Sequence, residues 1–365
     1  MTATREDTWA YYDRFSESYG RTYFRRFGEG VASSIGIGTY LGDPTDAVDR
    51  RYREALTLAV GSGANVLDTA VNYRCGRSER AVGEALAATE VDREAVHVAT
   101  KGGFLPFEGA RPDDPEGYLR ERFVDPGIVD PDDLARGIHC LDPDYLSWSL
   151  DRSLDNLGLD AVDLYYVHNP ETQLAARSRE AVYDRLEAAF TELERRGAAG
   201  DIGAYGVATW DAFRVEPGHE RYLSLPEVVS RARAASEAAG TGATGFRAIQ
   251  LPFNVHMADA FTVESHEGPD GPRSALAFAN GAGLSVFTSA SLGQGDLARE
   301  GEIPDEVASR LSGDTPAQRA LNFARSAPGV TCSLVGAAST EHVRENLAAG
   351  TFDPMGAAAF DTVFE

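Results

Sequence analysis

Eight short, nearly continuous apolar runs recur along the chain, and an amphipathic stretch with helical spacing separates most of them from the next. The runs are SSIGIGTY (33–40), NVLDTA (65–70), AVHVATK (95–101), VDLYYVH (162–168), IGAYGVAT (202–209), RAIQLPFN (247–254), LSVFTSA (284–290) and VTCSLVG (330–336). Strands covered on both faces by helices read in this way, because neither face alternates with water. Leu146, Leu150, Leu154 and Leu157 share one helical face, opened by Asp142-Pro143 as cap and first residue and closed by Gly158. Leu186, Ala189, Phe190 and Leu193 do the same ahead of Gly197. This pattern predicts a (β/α)8 TIM barrel over a single domain, residues 1–365. A doubly wound sheet competes, but GIGTYLG (36–42) has the wrong glycine spacing for a dinucleotide fingerprint and no immediate helix start.

Two stretches break the alternation. Residues 1–30, rich in Tyr, Phe and Arg, predict an entry arm with a hairpin that plugs the barrel floor. Residues 104–142 form a long insertion after the third strand, rich in proline, glycine and acid. So long a connection is functional or disordered, and in a barrel it emerges on the face where sites lie, capping it.

Charge excludes several partners. The 57 acidic residues give a net charge of -23 and are dispersed, which repels nucleic acid and anionic lipid. Together with many small residues and almost no lysine, they suggest adaptation to a halophilic cytoplasm, where a Debye length of about 3 Å at 1 M screens self-repulsion. An acidic protein from ordinary salt is the alternative. MTATREDTWA opens without a basic start and an apolar run, and no stretch has eighteen apolar residues together, so a cytoplasmic location is expected. Cys75, Cys140 and Cys332 match no disulfide framework or metal spacing, and no metal is expected.

Among 34 Lys and Arg, Lys101 is the only lysine, and it ends the third strand. Asp68 ends the second and His168 the fourth, with Tyr73 five residues past Asp68 on the following loop. Three ionisable residues closing successive barrel strands are not what core packing selects. Together the four make a proton-transfer device. An ammonium beside a phenol favours phenolate and is expected to lower the Tyr73 pKa, Asp68 holds Lys101 charged, and His168 bonds the atom receiving the proton. Lysine suits this place because it is a compact point charge, whereas guanidinium is a broad planar fork. Without Tyr73 and His168, the Asp68–Lys101 pair reads equally as a structural ion pair.

GANVLDTAVNYRCGRSERAVGEAL, VATKGG, LYYVHNP, AIQLPFN and VGAASTEHVREN together resemble, in order, the signatures of the aldo/keto reductase family. That resemblance implies Tyr73 as proton donor, Lys101 and Asp68 as its tuning pair, and His168 as the residue orienting a carbonyl that receives a hydride from NAD(P)H. The cofactor would lie across the mouth along Gly38, Thr39, Tyr40 and Asp68, with carboxamide contacts from Thr209 and Gln250. Ala208-Thr209 replaces the usual Ser-Asn, and Ser289 stands where a stacking aromatic is expected, before Leu292 in the SLGQG turn. Gly336, Ala337, Ser339, His342, Glu345 and Asn346 would hold the phosphate and adenine end, at a helix N-terminus suited to anions. With Ala338 and His342 in place of phosphate-clamping cations, Arg344 is the nearest one, which implies NAD(H) or dual use rather than strict NADP(H) preference.

On the substrate side, Asn169 and Trp210 are candidates, and Arg111, Arg120 and Arg122 of the capping insertion are candidates to recognise an anionic substrate. Trp210 reads equally as packing, and the insertion arginines as partners of its acids. The substrate implied is a small carbonyl compound or sugar. Two other readings stay open: a Schiff-base aldolase using Lys101, and a nicotinamide-binding regulatory subunit with slow turnover.

Overall fold

The structure, a computed structural model, describes residues 1–364. Eight parallel strands close into a barrel: β1 (Ile35–Gly38), β2 (Val66–Asp68), β3 (His97–Gly102), β4 (Val162–His168), β5 (Ile202–Ala208), β6 (Phe246–Pro252), β7 (Ser285–Ser289) and β8 (Val330–Gly336). Each pairs with its sequence neighbours, and β8 returns to β1 to complete the (β/α)8 fold. All eight lie within or against the apolar runs of the sequence. The first run divides: residues up to Ser33 belong to a hairpin, and β1 starts only at Ile35, because Ser34 N–H turns away to bond the Tyr23 carbonyl.

Side chains alternate between lumen and helices with period two. Ala99, Leu164, Tyr166, Ala248, Phe287 and Leu334 fill the lumen, while Leu67, Val98, Tyr165 and Ile249 belong to the layer packed under the helices. Gly36 makes this filling possible, since a Cβ there would sit 2.9 Å from both Cys332 Sγ and Leu334 Cδ2. Continuing the alternation one step toward the strand ends brings Asp68, Lys101, His168 and Gln250 into the same lumen.

The helices start where their caps dictate. Asp142 accepts from Asp144 N–H ahead of Pro143–Leu157, with Pro143 in the first turn. Leu146, Leu150 and Leu157 of that helix are buried, and Leu154 is half-buried. Ser178 caps Arg179–Ala199, which runs through Gly197 and stops at Gly200. Gly197 keeps the helical path, and Gly200 is the residue that takes the left-handed turn, at φ 91°.

The entry arm consists of a helix, Arg5–Phe15, and a hairpin, Phe24–Phe27 with Gly30–Ser33. Phe27 enters the floor of the barrel, its ring centroid 5.3 Å from Phe287 and 4.9 Å from His97. The insertion is ordered: short helical turns at Pro115–Val124 and Pro131–Asp133 bury Phe123 and Val129 against the core. Arg120 and Arg122 are exposed to solvent and pair with Asp125 and Glu108 at 3.4 Å. They are held by the acids that surround them in sequence. Among the described residues no helix is long and apolar enough to cross a membrane, and no group of His, Cys, Asp or Glu could hold a metal.

Candidate active site

At the mouth, Lys101 has no solvent exposure and its Nζ donates to Asp68 Oδ2 at 2.6 Å and to the Thr69 carbonyl at 2.8 Å. Asp68 Oδ1 accepts from Gln250 Nε2 at 2.7 Å, a bond that crosses the lumen from β6 to β2. The carboxylate therefore takes two strong donors, one charged and one neutral, in a dry setting where such bonds gain strength. Above them lies Tyr73, with Lys101 Nζ 4.9 Å from its ring centroid. The His168 ring stands edge-on to Tyr73 at 5.9 Å. The four residues singled out in the sequence thus converge, with the ammonium over the face of the phenol ring.

The electrostatics correct one expectation. Burial pushes the Tyr73 hydroxyl well above the ordinary tyrosine value, and the Asp68 carboxylate and Tyr40 push the same way. The net direction is upward, not the lowering expected from the neighbouring ammonium, which itself donates to Asp68 and the Thr69 carbonyl. Burial likewise lowers Lys101 itself, against the opposing pull of Asp68. His168 is held well below the usual histidine range by burial, then by Lys101 and His139. At neutral pH the site presents a protonated phenol and a neutral imidazole.

Tyr73 is presented by an uncommon turn. Arg74, Cys75 and Gly76 follow it with φ of 48°, 59° and 77°, and two left-handed residues in succession without glycine are costly. The buried Arg74 anchors the turn, bonding the Asp43 carbonyl at 3.0 and 3.2 Å and the Asp49 carboxylate, with its guanidinium 5.1 Å from the Tyr52 ring centroid. No glycine or proline marks Arg74 and Cys75 in sequence, so this anchor was not legible there. Tyr40, 59% exposed, packs edge-on to Tyr73 at 5.0 Å.

The residues named for a cofactor all lie at the carboxyl ends of strands or just beyond. Thr39 is buried and its Oγ1 donates to the Asp68 carbonyl, while Gly38 closes β1. Thr209 N–H bonds the Gln250 carbonyl at 2.8 Å, and its Oγ1 is buried without a partner. Gln250, the other expected carboxamide contact, donates its amide nitrogen to Asp68 Oδ1. Ser289 ends β7, half-buried, and Leu292 follows in the next turn. Gly336 ends β8. Ala337 is buried, Ser339 caps Thr340–Ala348, and on that helix His342 is exposed, Glu345 half-buried and Asn346 buried. Asn346 Nδ2, Ser291 Oγ and His168 Nδ1 join Thr209 Oγ1 as buried polar atoms without partners. Such atoms also occur away from the mouth, at Tyr23 Oη, Ser153 Oγ and Arg325 Nη2, whereas the first four lie beyond the carboxyl ends of the strands or close them.

On the substrate side Asn169 is half-buried at φ 46°, Trp210 is 40% exposed, and Arg111 is exposed on the insertion. Sequence reasoning missed Glu171, buried beside them. Its Oε1 accepts from Trp210 N–H at 2.7 Å and Asp211 N–H at 3.0 Å, tying the loop after β5 to the loop after β4.

A family model described as the Aldo/keto reductase family matches residues 34–222. The chain belongs to the aldo/keto reductase family. Membership supports an oxidoreductase, and the relatives vary in what they are named for. A putative voltage-gated potassium channel subunit beta of Schizosaccharomyces pombe is 24% identical over 88% of this chain and 85% of its own. A D-threo-aldose 1-dehydrogenase of a Pseudomonas species is 32% identical, over 42% of each chain. Among solved structures, a Klebsiella pneumoniae aldo/keto reductase in complex with NADP and acetate superposes with a TM-score of 0.61 at 21% identity, covering 94% of this chain and 95% of that one. The holo form of a Bacillus halodurans aldo-keto reductase gives 0.60 at 20% identity, covering 93% and 95%. These likenesses show the barrel fold over nearly the whole chain.

Proposed function

We propose that this aldo/keto reductase interconverts a carbonyl and an alcohol with a nicotinamide cofactor, Tyr73 giving or taking the proton. The observation that carries this reading is the buried Gln250–Asp68–Lys101 chain beneath Tyr73 and His168, two neutral groups facing one mouth. The unpartnered Thr209 Oγ1, Ser291 Oγ and Asn346 Nδ2 fit a nicotinamide cofactor laid along the mouth, each supplying a hydrogen bond to it. When bound in reduced form, that cofactor supplies a hydride to the carbonyl carbon.

The protein's own part is to manage charge on the substrate oxygen. Tyr73, held protonated, delivers its proton as negative charge builds on that oxygen. The phenolate left behind faces the Lys101 ammonium, which Asp68 keeps positioned. Neutral His168 donates a hydrogen bond that orients the carbonyl. Water exclusion by the buried strand ends strengthens each of these interactions. The Schiff-base reading is disfavoured by the complete burial of Lys101 and its two acceptors, which leave no approach for a carbonyl carbon.

For the cofactor, the reading is NAD(H) or dual use, because Ala338 and His342 stand where a phosphate clamp would need cations, which leaves the exposed Arg344 as the nearest one. The substrate is a small aldehyde, ketone or sugar, and Trp210 and Asn169 flank it. The test is oxidation of NADH and NADPH with a panel of carbonyls at low and high salt. Tyr73→Phe should lower kcat by about 10²–10⁴, the usual worth of a positioned general acid, with thermal stability unchanged. Full turnover in Tyr73→Phe, or cofactor binding with no turnover by the wild type on any carbonyl, would overturn the proposal.

A further inference from the structure

The insertion returns to the barrel beside His168, and the way it does so is specific. It leaves β3 at Gly103 and comes back at Cys140, whose N–H bonds the Gly103 carbonyl at 2.8 Å. Leu105 N–H bonds the Ile138 carbonyl at 2.8 Å, so the two ends of the insertion zip together. His139 lies between them, fully buried. Its Nε2 is 2.8 Å from the His168 carbonyl. A carbonyl only accepts, so Nε2 carries the proton and Nδ1 is the acceptor.

A donor is in place for Nδ1. Gln173 Nε2 is 3.0 Å from it and 2.8 Å from the His139 carbonyl, so one amide group serves both. Arg177 Nε donates to Gln173 Oε1 at 3.1 Å, which fixes the amide orientation, and Asp133 of the insertion holds Arg177 at 3.0 Å. Every bond from Asp133 to the His168 carbonyl therefore has a defined polarity. The backbone makes room for this contact at Gly103, φ 145°, where a Cβ would fall 2.9 Å from the His168 oxygen and 3.1 Å from His139 Nε2. Phe104 completes it, its ring edge-on to His168 at 5.1 Å and to His139 at 4.8 Å. The His168 ring is thus flanked by Phe104 on one side and Tyr73 on the other.

We propose that His139 is a positioning residue, through which the insertion clamps the main chain and ring of His168 in the geometry used for carbonyl reduction. The clamp rests on the reading of His168 as the carbonyl-orienting residue. It gives residues 104–142 a task in the reaction: a two-ended strap whose closure sets one imidazole. The groups facing that imidazole are Lys101 from β3, Tyr73 from the loop after β2 and His139 from the strap.

The test compares full-length wild type with His139→Leu and His139→Gln. Leucine fills the volume without a donor, whereas glutamine can bring an amide N–H to the place of Nε2. Misplacement of a reacting group by a fraction of an ångström predicts a loss of about tenfold or more in kcat for His139→Leu. The dissociation constant for NADH should stay unchanged, and His139→Gln should recover most of the rate. In cofactor-free protein, the His168 imidazole signals in ¹⁵N NMR should shift and broaden in the leucine variant and return in the glutamine variant. A folded leucine variant with wild-type kcat and unmoved His168 signals would overturn the clamp, as would failure of glutamine to restore either readout. If the wild type turns over no carbonyl, the functional reading fails, and the His168 signals still decide the clamp.

Discussion

At the floor of the barrel, Asn65 is completely engaged: its Oδ1 accepts from Ser33 N–H at 2.7 Å, and its Nδ2 donates to the Val31 and Ala95 carbonyls at 3.1 Å. Asp163 nearby accepts from Val98 N–H and Arg93 at 2.8 Å. At the mouth, equally buried side chains keep atoms without partners, among them Thr209 Oγ1, His168 Nδ1 and Ser291 Oγ. Both ends bury polarity and both leave single atoms without partners, Arg93 Nε and Tyr23 Oη below as well as these three above, but the floor's bonds tie the hairpin and strands together, whereas the mouth's unpartnered atoms stand beside Asp68, Tyr73, Lys101 and His168. In barrels of this kind the two faces divide in that sense, stability below and chemistry above. Substitutions at the two ends should therefore separate in what they damage.

The largest effect is expected at Lys101. Lys101→Met removes the charge that compensates buried Asp68, and breaking a buried pair from one side costs about 3–5 kcal/mol. Activity should fall at least as far as in Tyr73→Phe. Adding Asp68→Asn should return much of the stability, measured by urea unfolding, and none of the rate. If the double variant recovered turnover, the pair would belong with the floor, as structure alone.

Asn65→Ala tests the other end. It leaves Ser33 N–H and two carbonyls without partners in a buried place, a loss of about 3 kcal/mol at the usual worth of such groups. The kcat per folded molecule should not change. A selective loss of kcat with stability intact would erase the distinction between the two ends.

How much of this was legible in the sequence follows the same division. The eight strands were readable because each is a buried apolar run, and the capped helix at 143–157 because Asp-Pro and Gly mark its ends. Asp68, Tyr73, Lys101 and His168 could be grouped because strand ends of a barrel converge. What stayed hidden depends on contacts far apart in sequence. Nothing local marks Gln250 as the second partner of Asp68, 182 residues away, or His139 as the partner of the His168 carbonyl. The sign of the Tyr73 shift was misjudged for a related reason. Proximity to an ammonium and its pairing with Asp68 were foreseeable, but the extent of burial and the opposing push of Asp68 and Tyr40 on the phenol were not.

Acid should probe the mouth at intermediate strength. Burial holds His139 down at about 4, against about 6.5 in an unfolded chain. A folded-state value below the unfolded one means that the contribution to stability is fully present above about pH 6.5 and is lost as pH falls toward 4. Between pH 7 and pH 5 this amounts to about 2 kcal/mol. His168 and His97 are lowered in the same direction and steepen the slope. Thermal melts across this range should flatten in His139→Gln, and an unchanged slope would mean that His139 is hydrated rather than locked by Gln173.

The rim of the mouth should respond least. Arg344 is exposed and bonds the Thr340 carbonyl, so any contact with a 2′-phosphate would be made in water, where an exposed ion pair is worth about 0–1 kcal/mol. Arg344→Ala should therefore raise the KM for NADPH by less than about fivefold and leave the KM for NADH alone. That outcome would place the cofactor-recognising power of this protein in the buried centre, with Thr209 and Asn346, rather than in a charged clamp at its edge. A loss of a hundredfold or more for NADPH alone would reverse the assignment, because an effect of that size requires a guanidinium drawn out of water and closed over the phosphate.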